Sequence, residues 1–185
     1  LALRAEDTDD NRMPLLLWWA IEGQCEDHRD AVLQLFEDPA FWRSPLVEKH
    51  LLDRTCRRFA QAGSRRDLLA CARLFELSPS VENSRRLMAG FEAAYKGRTL
   101  AGLPAELVKA MARDGVGSAA FALRQGDPQA VRRAIQIVPD ETAPRAERMA
   151  AVDALDVGDL IYIPGHVMMF AGRIDGMPWV IHDTN

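Results

Sequence analysis

No stretch of this sequence comes near the roughly 20 consecutive apolar residues that cross a bilayer. Its densest hydrophobic run, residues 15–21, has seven, so no membrane span is expected and the run reads as a buried helix. Cysteine is scarce. Cys25, Cys56 and Cys71 show neither Cys-x-x-Cys spacing nor the density of a disulfide scaffold, and none occurs from residue 72 to 185. Net positive charge is lacking as well: the formal charge is −4, so no overall field draws polyanions to the surface, and nucleic acid is not an expected partner. Gly115-Val116-Gly117 has no preceding strand and no third glycine, which makes it a helix break rather than a nucleotide loop. No basic-then-apolar leader is visible at the start. The chain opens on Leu1 and stops at Asp183-Thr184-Asn185, directly after a strand pattern; both ends are expected to be cut from something longer.

What is present suits a packed core, with 48% hydrophobic and 27% charged residues. The first three quarters read as consecutive amphipathic helices. Asp10 and Asn11 are candidate N-caps before Pro14, in a helix running to about Cys25. A second spans about 27–37. Ser44-Pro45 opens a third that Gly63 closes, and Ser64 with Asp67 three residues on forms a capping box for a fourth at 65–77. Leu87, Phe91, Ala94 and Tyr95 mark a fifth ending near Gly97, Pro104 starts a sixth through Met111, and 117–125 offers a seventh. Asp127-Pro128 opens an eighth in which Val131, Ala134, Ile135 and Val138 line one side. These helices group as hairpins spaced about 30–40 residues apart, and stacked hairpins bury apolar stripes that each alone cannot. A compact irregular bundle would satisfy the same periodicity.

Arginine supplies 20 of the 23 basic residues, in pairs such as Arg57-Arg58, Arg65-Arg66, Arg85-Arg86 and Arg132-Arg133. Exposed helix faces with ion pairs are the favoured reading, an anion-binding surface the alternative. Trp18 and Trp19 offer an interface anchor, although core packing is favoured for at least one of them. Cys56 and Cys71 lie equally far from the Gly63-Ser64 hinge, so an antiparallel hairpin sets them level and facing inward. Reduced core thiols are favoured there over a disulfide.

Residues 139–150 read as a connector with about one further helical turn. Beyond it the period changes to that of strands: 160–163, 167–171 and 179–181, with Asp175-Gly176 as a hairpin turn. The expected result is an antiparallel meander, with Met168 and Met169 on opposite and covered faces. His166 starts the second strand and His182 ends the third. Cross-strand neighbours lie about 5 Å apart, so one imidazole could act as base while the other, or Asp183, holds its tautomer. The competing reading, favoured by spacing alone, is two strand-end histidines at a solvent edge. A zinc site from His166, His182 and Asp183 lacks a full ligand cluster.

Gly158-Asp159-Leu160-Ile161-Tyr162-Ile163, Gly165-His166-Val167-Met168-Met169 and Val180-Ile181-His182-Asp183-Thr184 together resemble the C-terminal half of the NlpC-type papain-like cysteine peptidases of bacterial cell walls. The likeness covers about residues 155–184. It implies that His166 is the general base and His182 the polar residue orienting it, beside a thiolate that attacks an amide carbonyl. In that family the nucleophile opens a helix, where the dipole lowers its pKa. None of the three cysteines has that context: Cys71, in Ala70-Cys71-Ala72, and Cys56 are mid-helix, and Cys25 follows a helical run.

Pro14-Leu15-Leu16-Leu17-Trp18-Trp19-Ala20-Ile21-Glu22, Leu69-Ala70-Cys71-Ala72-Arg73-Leu74, Leu87-Met88-Ala89-Gly90-Phe91-Glu92 and Leu123-Arg124-Gln125-Gly126-Asp127 resemble the helical-repeat region of large secreted planctomycete-type dehydrogenase/cytochrome proteins, over residues 9–145. Cys-x-x-Cys-His is absent, so that likeness implies a spacer or docking module without haem.

The expected architecture is mainly α: helical-repeat, HEAT-like hairpins over 1–143, and a partial NlpC-like segment over 144–185 forming a small three-stranded antiparallel β appendage. The expected role is a helical interaction module with a silent peptidase segment, needing no cofactor and no metal. The alternative is a peptidoglycan endopeptidase fragment whose cysteine lies in missing sequence or another chain. Expected partners are a protein on the helical surface or a cell-wall peptide. Both resemblances imply an extracytoplasmic setting.

Overall fold

The computed structural model describes residues 2–96, 98, 100, 102–117, 119–153, 160–163, 166–174 and 177–182. Its architecture is mainly helical with a small antiparallel sheet at the C-terminal end, as the sequence periods predict. It divides into two compact units, 1–96 with 101–117, and 97–100 with 118–185. The expected boundary at 143/144 falls inside the second unit.

In the first unit a 3-10 turn, Ala5–Asp7, leads to α1 (Met13–Glu22), α2 (Arg29–Leu35), α3 (Pro39–Trp42), α4 (Pro45–His50), α5 (Leu52–Ala62), α6 (Arg65–Leu77), α7 (Val81–Tyr95) and α8 (Ala105–Ala112). The N-cap position of α1 is Arg12 rather than Asp10 or Asn11; Asp10 Oδ1 accepts from the backbone N–H groups of Arg12 and Met13, at 2.8 and 2.7 Å, just ahead of the helix. Gly63 ends α5 at a left-handed φ of +69°, a conformation that costs glycine little. Ser64 Oγ then accepts from the Asp67 N–H at 3.2 Å, the expected opening of α6.

Helix α5 packs most extensively on α7, and α6 on α8, while α5 and α6 meet as a hairpin. This next-but-one contact is the arrangement of helical hairpins stacked in two layers. Leu52, Cys56 and Phe59 of α5, Leu74 and Phe75 of α6, and Leu87 and Phe91 of α7 are all buried. Each such side chain contributes about 1.5–3 kcal/mol through the apolar surface it removes from water. At one end, Phe36 meets Phe41 and Trp42 edge-on with centroids 5.0 and 5.2 Å apart. Trp42 Nε1 donates to the Phe36 carbonyl at 2.7 Å, which satisfies the polar tip of a buried ring.

The helix expected from Pro45 to Gly63 is broken at Leu51, which has φ −113°. Both pieces touch α1 but otherwise serve different neighbours: α4 packs on α3 and the 3-10 turn, α5 on α6 and α7. A single straight helix could not face both sets. Thr55, fully buried on α5, has a hydroxyl with no hydrogen-bond partner among the described residues. Thr55→Val keeps the shape and removes the stranded polar atom. The expected result is a gain of about 1 kcal/mol in urea unfolding, whereas a loss would reveal a partner to the hydroxyl.

The second unit holds α9 (Ala119–Arg124), α10 (Pro128–Ile137), α11 (Arg145–Asp153) and strands β1 (Leu160–Ile163), β2 (His166–Ile174) and β3 (Met177–His182). The sheet order is β1-β2-β3, both pairs antiparallel. Asp127 Oδ1 caps α10 through the N–H groups of Gln129 and Ala130. Three expectations are corrected here. The connector forms a full helix, α11. The apolar side of α10 is not a core face, since Ile135 is 69% exposed and Val131 also lies outside. Nor are both faces of β2 covered, because Val167 and Met169 are exposed. Among the described residues of this unit the buried aromatic side chains are Phe121 and Phe170. A register shift between Phe170 and Gly172, where Gly172 takes φ +122°, further disturbs the alternation. The Asp175-Gly176 turn lies outside the described residues.

Candidate functional site

Strand register places the two expected catalytic residues. Ile163 pairs with His166 across β1 and β2, and Met168 pairs with His182 across β2 and β3. His182 is therefore diagonal to His166, one pair of residues along β2. Diagonal positions in a sheet lie about 7–8 Å apart, within reach of long side chains rather than in direct opposition. The side chains of both histidines, and Asp183 altogether, lie outside the described residues.

The cysteines are built into the core of the first unit. All three are free and buried. Cys71 and Cys56 meet across the α5–α6 hairpin as their equal distance from the hinge predicts, and the Cys71 thiol donates to the Cys56 carbonyl at 3.6 Å. Burial first, then the neighbouring Cys56, holds the Cys71 pKa well above the ordinary thiol range. Burial likewise pushes the Cys25 thiol up to about 11 against the opposing pull of Arg58, and its Sγ donates to the Ile21 carbonyl at 3.4 Å. Such thiols stay protonated at neutral pH, the reverse of what a nucleophile requires. Among the described residues no three metal-ligating side chains cluster, and no helix is long and apolar enough to cross a membrane.

The most distinctive surface lies on α1 and α5. Helix α1 is apolar on nearly every side, yet only Pro14 and Ile21 are buried. Leu16 and Trp19 are 51% and 56% exposed, with Leu15 beside them. Neither tryptophan is core, contrary to expectation, for Trp18 is only half-buried. Trp18 and Glu22, one turn apart on α1, line a cleft of about 250 Å³ with Arg54, Arg57, Arg58 and Gln61 of α5. Those four α5 positions follow i, i+3, i+4, i+7 spacing and so form one stripe, opposite the buried stripe of Thr55, Cys56 and Phe59.

Several arginines elsewhere in this unit have carboxylates. Arg65 meets Glu106 at 3.2 Å, Arg73 meets Glu37 at 3.2 Å, Arg85 meets Glu82 at 3.4 Å, and Arg113 meets Asp114 at 2.8 Å. The ion-paired reading of the arginines holds for these. In the cleft, Arg58 has only a 3.9 Å approach to Glu26. Arg54 and Arg57 have no ion pair among the described residues. Sequence reasoning picked out Arg57-Arg58 as an adjacent pair and missed the stripe, which the four-residue spacing from Arg54 to Gln61 would have signalled.

Comparison of the chain with family models, with curated proteins and with solved structures finds no match.

Proposed function

We propose that the chain is a helical interaction module, docking a partner protein through the outward face of α1, and that its NlpC-like C-terminal segment has no catalysis of its own. The observation that carries this reading is the exposure of Leu15, Leu16 and Trp19 on a helix without a polar face. A contiguous apolar patch is costly to leave in water, and exposed aromatic residues are common anchors of interfaces. The burial of all three thiols, with those of Cys25 and Cys71 pushed up in pKa, supports the non-catalytic half.

Site-directed crosslinking tests the docking role. A photoreactive amino acid in place of Leu16 is expected to give a discrete adduct in cells, lost when Trp19→Ser is added; the same group in place of the exposed Asp30 on α2 should give none. Equal labelling at both positions, or no adduct at Leu16, would overturn the reading.

The alternative is a peptidoglycan endopeptidase fragment whose cysteine comes from missing sequence or another chain, and the diagonal register of His166 and His182 favours it. Incubation with purified peptidoglycan separates the two. No release of new amino groups is expected; release abolished by His166→Ala would establish the peptidase instead.

A further inference from the structure

The cleft beside α1 indicates what kind of partner the apolar face takes. We infer that Arg54, Arg57 and Arg58 receive the carboxylates of an acidic amphipathic protein segment whose apolar side chains lie on Leu15, Leu16 and Trp19. This inference rests on the proposed docking role and specifies the partner's chemistry.

Charge complementarity carries it. Several arginines of this unit are matched to carboxylates, as with Arg65, Arg73, Arg85 and Arg113, whereas Arg54 and Arg57 have no such pair among the described residues. Along this α5 stripe three guanidinium groups share one concave surface with Glu22 as the single carboxylate lining it and Glu26 3.9 Å from Arg58, so positive charge is in excess there. A guanidinium fork is matched in geometry to a carboxylate, which it can hold through two parallel hydrogen bonds. Half-buried Trp18 forms one wall of the same cleft, adding an apolar surface on which an arginine or a partner side chain can stack. The apolar patch and the cationic cleft are contiguous through α1, because Trp18 is adjacent in sequence to Trp19 and shares its side of the helix with Leu15 at i−3.

The same observations weigh against a polyphosphate ligand. Glu22 in the cleft and the net charge of −4 act against phosphates and carboxylates alike, and most strongly on a densely charged polyanion, so the apolar face decides between the two. An exposed Leu15, Leu16 and Trp19 face contributes nothing to binding a phosphate backbone. It does contribute to binding a peptide with leucine-like side chains between its carboxylates.

Fluorescence anisotropy on the full chain tests the inference. The probe is a dye-labelled peptide with leucines at helical spacing and glutamates between them. Two companions carry glutamine or lysine in place of every glutamate. The glutamate peptide is expected to bind at least about tenfold more tightly than the glutamine peptide at low salt, and the difference should shrink as salt screens exposed charge. Arg54→Glu with Arg57→Glu should abolish that preference, and Arg54→Gln with Arg57→Gln should reduce it. Both pairs lie outside the core, and circular dichroism verifies that the helices persist. Leu16→Ser with Trp19→Ser should weaken the glutamate and glutamine peptides alike.

Equal binding of the glutamate and glutamine peptides, a preference untouched by the arginine changes, or tighter binding of duplex DNA than of the glutamate peptide would each overturn the inference. So would failure of all three peptides to bind. None of these results decides the docking role, which the crosslink at Leu16 tests separately.

Discussion

Gly90→Ala is expected to destabilise the first unit by about 3 kcal/mol, at the upper end of what overpacking costs. An ideal Cβ on Gly90 would stand 2.0 Å from the Asp53 carbonyl oxygen, 2.8 Å from its carbonyl carbon and 2.9 Å from its Cα. All three atoms are backbone of α5, so no rotamer change relieves the clash and the two helices must move apart. That contact lies in the most extensive helix pair of the unit, between α5 and α7. Intrinsic propensity acts the other way, because alanine is favoured over glycine in a helix by about 1 kcal/mol. The comparison that isolates packing is Ala93→Gly, at an exposed position of the same helix, expected to cost about 1 kcal/mol. Chemical denaturation of both variants checks the prediction: a Gly90→Ala protein as stable as the parent would mean that α5 and α7 do not approach so closely.

The features legible in the sequence were those decided locally. Ser64, Asp67 and Gly63 fix a hinge through capping and a left-handed φ, so the start of α6 could be placed at its observed residue. The three strands were found from their change of period, with ends off by one to three residues at β2 and β3. Features decided by neighbours were not legible. The break at Leu51 lets α4 meet α3 and the 3-10 turn while α5 meets α6 and α7, and nothing in the local pattern marks it. Helix α10 has an apolar side by periodicity, but periodicity cannot say whether another element covers it, and Ile135 remains outside. Gly90 offered a usable signal, since a glycine inside a strong helical pattern tends to have a packing reason.

The candidate sites divide along the same line. The strands that carry His166 and His182 were readable from the change of period, but the expected direct cross-strand neighbourhood was not met, because the register sets the two positions diagonally. The α1–α5 cleft combines residues from helices more than thirty positions apart. Pairwise spacing along α5 suggests a cationic stripe, but only the fold shows that Trp18 and Glu22 lie beside it and that Arg65 and Arg73 are neutralised elsewhere.

The second large effect concerns Arg29 and Asp67, which join α2 to the start of α6. Arg29 Nη2 and Nε donate to Asp67 Oδ1 at 2.6 and 3.0 Å, with side chains only 13% and 10% exposed. Ser64 Oγ donates to the other carboxylate oxygen. Arg29→Leu leaves a buried carboxylate without its cation and is expected to cost about 3 kcal/mol at pH 7. The double variant Arg29→Leu with Asp67→Leu removes both charges, and its loss should be clearly smaller than the sum of the two single losses. Burial raises the Asp67 pKa, but the Ser64 hydrogen bond and Arg29 outweigh it and hold the carboxyl below its ordinary range. A carboxyl with a depressed folded pKa contributes stability that is present above the unfolded value, near about 4, and is lost as pH falls through the lower folded value. Asp67→Asn should therefore show a shallower fall in stability below about pH 4 than the parent. It should not be flat, because Asp114, held down to about 2 by Arg113 and Ser84, titrates in the same direction. Parallel pH profiles for the parent and Asp67→Asn would show that the ion pair contributes nothing beyond its packing.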